Sequence, residues 1–272
     1  MGDGQSSGIA HDDTKAAWDA LFTGPLAGWR ITKVIVSHYH PDHIGLGGWL
    51  CERFGVQLLT SQTCYLGCII ILLDPGALEA QHYREFYRQH GMSDETAKLV
   101  STQGHAYLHM VMPVPLTFRR LVAGDVLVLG RRRFDVHSGD GHAPEQIMLY
   151  SAEDRVLLAA DQVIAKISPN PNISVWAVEP DGDPLGPYLG SLAALERELP
   201  ENTFVLPGHQ LPFRGRHERC RDPADYHRKR CGLIAEACQT AQKSIAVPLL
   251  FPRELDPHQF SCASSEAHAH VN

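Results

Sequence analysis

The sequence predicts a layered α/β protein, and three observations carry that reading. Apolar, strand-like stretches end four times at a His or Asp: Val34 to Ser37 before His38, Phe134 to Val136 shortly before His142, Val156 to Ala160 before Asp161, and Thr203 to Leu206 before His209. Two pairs of such stretches are separated by turn residues, Gly124 to Gly130 with Arg133 to Val136, and Gln146 to Tyr150 with Val156 to Ala160 around Ala152 to Asp154, so each reads as a hairpin. An amphipathic stretch from Tyr188 to Leu199 precedes the Thr203 strand, as a helix crossing between strands would. In such folds functional side chains gather where the strands end.

Taken in order, residues 33–37 form a buried strand, and a helix from Ile44 to Phe54 follows the first His cluster. Gln62 to Leu73, Ala77 to His90 and Ser93 to His109 read as helices, separated by Asp74, Pro75 and Gly76 and by Gly91, with Ser93 or Asp94 as an N-cap. This stretch forms a lid-like insertion before the strand pair at Leu121 to Val136. Its Tyr65, His82, Tyr83, Phe86, Tyr87, His105, Tyr107 and His109 would give a mostly apolar pocket, with Tyr107 a substrate contact. A helix from Pro223 to Gln242 and a loose segment with Pro248, Pro252 and Pro257 close the chain.

The chemistry concentrates in His38, His40, Asp42 and His43, three imidazoles and a carboxylate within six residues at a strand end. Alternation sets His38 and His40 on one side of an extended backbone, and the turn at Pro41 swings Asp42 and His43 to a neighbouring position, so one loop serves two metals. Packed this tightly, these side chains would repel or waste buried polar groups without a metal. His268 and His270, in the tail, read as surface. His142, Asp161 and His209, each beside small residues or Pro, are the candidates that complete the site.

With these residues in place, the chain resembles the metallo-β-lactamase-fold hydrolase superfamily, whose pattern is His-x-His-x-Asp-His, then a His in a Gly-His-Ser/Thr/Ala-Pro setting, then an Asp, then a Gly-His. His38, His40, Asp42, His43, His142, Asp161 and His209 match in order, over roughly residues 8–212. The resemblance implies a four-layer αββα sandwich. It divides the chain into a catalytic domain at 1–212, with a helical lid-like insertion at about 60–112, and a small helical C-terminal appendage at 213–272. By the same analogy His38, His40 and His142 hold one metal, Asp42, His43 and His209 hold the other, and Asp161 bridges them.

Imidazole and carboxylate ligands suit zinc, iron or manganese, with zinc favoured and no Cys at a matching position. Two divalent ions roughly 3.5–4 Å apart share a water and lower its pKa toward ~7. The expected activity is hydrolysis of an ester-like bond, a thioester first, by a metal-bridging hydroxide, with Asp42 orienting it or taking its proton. Asp161 where familiar zinc β-lactamases carry Cys, together with the presence of His43, argues against β-lactam hydrolysis. His40 in place of Glu argues against the flavodiiron role, and Ile164 in place of Tyr against lactonases. The texture fits the hydroxyacylglutathione hydrolase-like (glyoxalase II-like) thioesterases, with an endoribonuclease or phosphodiesterase as the alternative.

Family members carry several strands and an Asp-Thr-Gly turn before the first ligand loop. Here about thirty residues precede Lys33, and Ser6 to Ile9 stand in the place of the turn. An open sheet edge there would invite homodimerisation, and a catalytically impaired metal-binding scaffold is a further alternative.

The resemblance implies a small acyl (thio)ester as substrate, and length and composition fit a protein of that family. The 272 residues, 44% hydrophobic and 20% charged, suffice for one full core. No apolar run approaches the ~18 residues of a membrane span, and no secretory signal is visible. Seven Cys without CxxC spacing fit a reduced, cytoplasmic protein. A net charge of −7 argues against general nucleic-acid binding. Arg214, Arg216, Arg219 and Arg221, followed by His227, Arg228 and Arg230, nonetheless form basic clusters after His209 that would suit an anion clamp for glutathione, coenzyme A or RNA phosphates, with a solvated helix face as the plain alternative.

Overall fold

Two sheets of unequal width face each other in the computed structural model, which describes residues 7–74, 85, 88, 93–95, 98, 105–169, 183 and 185–240. The narrower sheet is parallel, in the order β1 (Lys33–Ile35), β2 (Gln57–Thr60), β3 (Phe118–Arg120). The wider sheet runs β4 (Val126–Leu129), β5 (Arg132–Gly139), β6 (Gln146–Ser151), β7 (Val156–Ala160), β8 (Phe204–Pro207). It is antiparallel as far as β7, and β8 joins β7 in parallel.

Alternation along the strands sorts the side chains into layers. Leu59 and Leu121 meet Leu127, Phe134, Val136, Ile147 and Leu149 between the sheets. Val34, Val36 and Leu58 point the other way, into a cluster with Leu50 and Cys51 of helix α3 (Gly47–Phe54) and Cys64, Tyr65 and Cys68 of α4 (Gln62–Leu73). On the far side Met148, Tyr150, Leu157 and Val205 pack against Leu185, Tyr188, Leu192 and Leu195 of helix α6 (Leu185–Glu198). The order helix, sheet, sheet, helix is the expected αββα sandwich. Helix α7 (Arg216–Thr240) adds Cys220 to this last cluster.

Several element boundaries differ from the sequence expectation, each for a local reason. The 33–37 strand ends at Ile35 because Ser37 leaves the ladder, and its carbonyl accepts from Ile147 N–H of the opposite sheet at 2.9 Å. The helix expected from Ile44 is split into α2 (Pro41–Ile44) and α3. Leu46 N–H is taken by Gly8 C=O at 3.1 Å and Ser7 Oγ at 3.0 Å, so it is not available to continue α2. Helix α6 begins three residues before Tyr188, because Asp183 Oδ1 accepts from Gly186 N–H and Pro187 is tolerated in a first turn. Helix α7 begins at Arg216 and runs through Pro223, forgoing one backbone bond. Most of the Ala77 to His90 stretch, most of Ser93 to His109 and the tail beyond 240 lie outside the described residues. At the end of the Ser93 to His109 stretch, α5 (His105–Met110) is a described helix. An N-terminal helix, α1 (Asp12–Thr23), lies within the thirty residues ahead of β1 and packs Trp18 and Phe22 against the α3 and α4 cluster.

Three strands cannot cover five. Because the end of β1 meets β6, the inner faces of β7 and β8 extend past the β1 edge. Leu157 and Val205, facing α6, are fully buried, whereas their neighbours Val156, Leu158, Phe204 and Leu206 remain half-buried. A cavity of about 300 Å³ opens there, lined by Ile35, Leu129, Ile147, Leu149 and Leu158 with Lys33 at its edge.

Candidate metal centre

All seven side chains named from the sequence converge at one end of the sandwich. The donor atoms of His38, His40, His142 and Asp161 lie within 4.8 Å of one another, as do those of Asp42, His43, Asp161 and His209. Asp161 belongs to both groups. Its Oδ2 is 3.4 Å from His142 Nε2 and 3.2 Å from His209 Nε2, and its Oδ1 is 3.3 Å from His43 Nε2. Asp42 Oδ2 lies 3.0 Å from His209 Nε2 and 3.4 Å from His43 Nε2.

Local structure explains the delivery of each ligand. His40 is the N-cap of α2 with Pro41 at the first helical position, so the chain turns sharply and carries Asp42 and His43 round to the second group. Asp161 follows an irregularity in the β7–β8 ladder and Ala160 at φ 45°, a left-handed conformation that a non-glycine residue adopts at a cost of order 1–3 kcal/mol. Gly208 N–H donates to Ala160 C=O at 2.6 Å and holds that bend. A Cβ at Gly208 would stand 2.2 Å from Asp161 Oδ1 and 2.8 Å from His43 Cε1, so only glycine fits before His209. Glu145, at φ 48° beyond His142, accepts from Thr63 N–H at 3.2 Å and from the Thr63 hydroxyl, tying this loop to the start of α4.

Outer contacts fix the rings. Ser37 Oγ lies 3.0 Å from His38 Nδ1 and 3.3 Å from His43 Nδ1, leaving both Nε2 atoms to face the cluster. Ser7 and Gly8, at the place expected for the turn, bond the ligand loop directly. Gly8 N–H donates to Asp42 C=O at 2.9 Å, and the Ser7 hydroxyl donates to His43 C=O at 2.8 Å. Sequence reasoning missed Ser37, Gln146 and Gln162 as supports. Their only signal is a polar residue interrupting or flanking an apolar strand.

Burial divides the site into a deep and an open half. The His38 and His43 side chains are wholly buried, while His209 is 46% and Asp42 38% exposed, so the cluster opens to solvent on the Asp42 and His209 side. Burial pushes the His38 and His40 imidazoles well below their ordinary range, and the neighbouring imidazoles add to it. Both imidazoles are therefore neutral at pH 7. Burial would raise the Asp161 carboxyl, but hydrogen bonds from His142, His209 and His43 outweigh it and hold the group far below the usual carboxylate range. The Asp161 contact pushes His209 up to about 9, against the opposing effect of burial.

The donor set fits divalent metal ions. His43 Nε2 and Asp161 Oδ1 are buried and face each other at 3.3 Å without a well-aligned hydrogen bond between them. Ions between such converging atoms would satisfy polar groups that the protein otherwise strands at a cost.

The other four sequence candidates stand outside these two groups. Tyr107 is buried, and its hydroxyl donates to Tyr39 C=O at 2.7 Å, bracing the ligand loop from α5. His227 is 2% exposed beside Tyr188. Arg228 pairs with Asp225, and Arg230 lies over the Tyr226 ring at 5.9 Å. Of the preceding arginines, Arg216 is fully buried and donates to Leu195 C=O at 2.6 Å, capping α6, and Arg219 Nε donates to Ile164 C=O at 2.5 Å.

Comparison with known proteins agrees with this geometry. The family model for the metallo-β-lactamase superfamily matches residues 7–63. A β-lactamase domain protein from Burkholderia ambifaria is 33% identical and superimposes over 98% of this chain and 74% of its own, with a TM-score of 0.84. A metallo-β-lactamase family protein from Thermus thermophilus is 23% identical over 98% of this chain and 82% of its own, with a TM-score of 0.79, and shares the fold. A hydroxyacylglutathione hydrolase from Erythrobacter litoralis is 24% identical over 75% of this chain and 80% of its own length. On fold, site and likeness together, the chain belongs to the metallo-β-lactamase superfamily.

Proposed function

We propose that the protein is a dinuclear metal-dependent hydrolase of thioesters, with His38, His40 and His142 holding one ion, Asp42, His43 and His209 the other, and Asp161 between them. The observation that carries this reading is the single carboxylate shared by two four-residue donor groups. Zinc is the favoured ion, since imidazole and carboxylate donors without thiolate suit it. When bound there, two divalent ions would lower the pKa of a bound water and polarise the acyl oxygen. The neutral rings of His38 and His40 compete with no proton for their ion. Asp42, 38% exposed at the open side, would orient the attacking water or take its proton as well as ligate. The thioester assignment rests on the likeness to the Erythrobacter hydroxyacylglutathione hydrolase and on Asp161 standing where familiar zinc β-lactamases have Cys.

The test is a panel of glutathione and coenzyme A thioesters, lactones, β-lactams and phosphodiesters, offered to zinc-, iron- and manganese-loaded protein. Thioester turnover exceeding all other classes in kcat/KM is the expected result. Preferential phosphodiester cleavage would replace the thioester reading, and inactivity on every class with both metals bound would mark a binding scaffold.

A further inference from the structure

The ligand-bearing end contains a buried polar chain that no reaction step uses. Gln146 opens β6 and Gln162 follows Asp161, and both side chains are 0% exposed. Gln146 Oε1 accepts from Asp161 N–H at 3.2 Å, which leaves its Nε2 to donate to Gln162 Oε1 at 3.1 Å. Gln162 Nε2 then donates to Asp140 C=O at 3.2 Å. Each amide thus has only one orientation that satisfies the chain, because reversing either one sets acceptor against acceptor. The chain links the backbone of the shared carboxylate to the β5–β6 loop that carries His142. Room for it is made at Gly139, where a Cβ would stand 2.4 Å from Gln162 Oε1. It also lies directly beyond the left-handed Ala160, where the backbone has most reason to relax.

We propose that Gln146 and Gln162 are positioning residues, acting as one amide clamp that fixes Asp161 relative to His142 and so sets how tightly the centre retains its second ion. The inference rests on the dinuclear reading above. A buried, directional amide pair holds a backbone in one place more strictly than apolar packing can, because it has one satisfied arrangement. It does not touch substrate, so its effect passes through the ligands.

The test uses the full chain, freed of metal with chelator and titrated with zinc against a chromophoric competitor, with thermal midpoints recorded for the metal-free forms. Gln146→Met and Gln162→Met, unbranched replacements of similar size, are each expected to weaken the second zinc roughly 10–100-fold. The double variant should lose no more than either single one, as members of one unit do. Thr203→Val, which removes a buried hydroxyl bonded to Pro200 C=O away from the centre, should lower the midpoint and leave the zinc competition unchanged. Should a Met variant not fold, Gln146→Leu and Gln162→Leu remove the same amides without adding a charge, and the same weakening is expected. Zinc affinities within about twofold of wild type in the Gln variants, whatever their midpoints, or fully additive losses, would overturn the clamp. Failure of the wild type to bind two ions would instead remove the dinuclear reading on which the clamp depends.

Discussion

At the ligand end, the groups behind the donor atoms are held by hydrogen bonds: Ser37 meets two imidazoles, Gln146 holds the Asp161 backbone, and Ser7 and Gly8 bond the loop between Asp42 and Leu46. Along the edge beyond β1 the reverse holds: Leu158 lines a cavity of about 300 Å³, and Val156, Phe204 and Leu206 nearby stay only half-buried. The two regions share β6 and β7, yet one is braced by hydrogen bonds from several loops and the other, among the described residues, has no covering layer. The lesson is that the metal centre is assembled from loop contacts local to the strand ends. It does not need the narrower sheet to be wider.

This contrast can be broken at either end, and the largest effects belong to the centre. Replacing Asp161 by Ala should abolish retention of two ions and lower turnover by more than about 100-fold, beyond the 10–100-fold typical of an outer-shell partner. Metal analysis beside a kinetic assay reads both. Ser37→Ala, which frees two imidazoles at once, should weaken zinc by roughly 10–100-fold while the fold persists.

The open edge predicts smaller effects, and of another kind. Leu157→Ala, facing α6, should cost about 2–5 kcal/mol in chemical denaturation, whereas Leu158→Ala, one residue along and half-buried, should cost about 1 kcal/mol. Neither should change zinc affinity. If Leu158→Ala weakened metal binding, the independence of the two regions would be lost. A row of half-exposed apolar residues beside an open strand edge also promotes self-association. Sedimentation velocity should show concentration-dependent dimers that Ile35→Lys suppresses.

The centre can also be tested through pH. In the metal-free chain the Asp161 contact raises His209 to about 9, so between pH ~6.5 and 9 a proton must leave before that nitrogen can ligate. Zinc affinity should therefore rise with pH across this window and flatten above it. His38 and His40, already neutral at pH 7, add no dependence there. In the His209→Ala variant the slope over the window should disappear.

The ligands were legible because they are a short-range signal: four metal-competent residues in six positions, then single ones after apolar strands. Strands β4 to β7 were legible through turn residues, and α4 matched its expected range because Ser61 caps it and an apolar run follows. What was illegible depends on pairs distant in sequence. Nothing near Gln146 announces Gln162, and nothing in the run from Arg214 to Arg221 marks Arg216 as the buried one that caps α6. The split between α2 and α3 escaped notice because its cause, the Ser7 and Gly8 contacts to Leu46, lies nearly forty residues away. The width of the narrower sheet concerns the register of whole elements, which periodicity does not encode.

The central claim is that two metal ions are held at the strand ends although the narrower sheet leaves its partner partly uncovered. Elemental analysis of the purified chain, with size exclusion establishing that the sample is not aggregated, tests it most directly. The account predicts about two transition-metal ions per protomer, predominantly zinc. Well under one ion per protomer, persisting after incubation with zinc, iron or manganese, would contradict it.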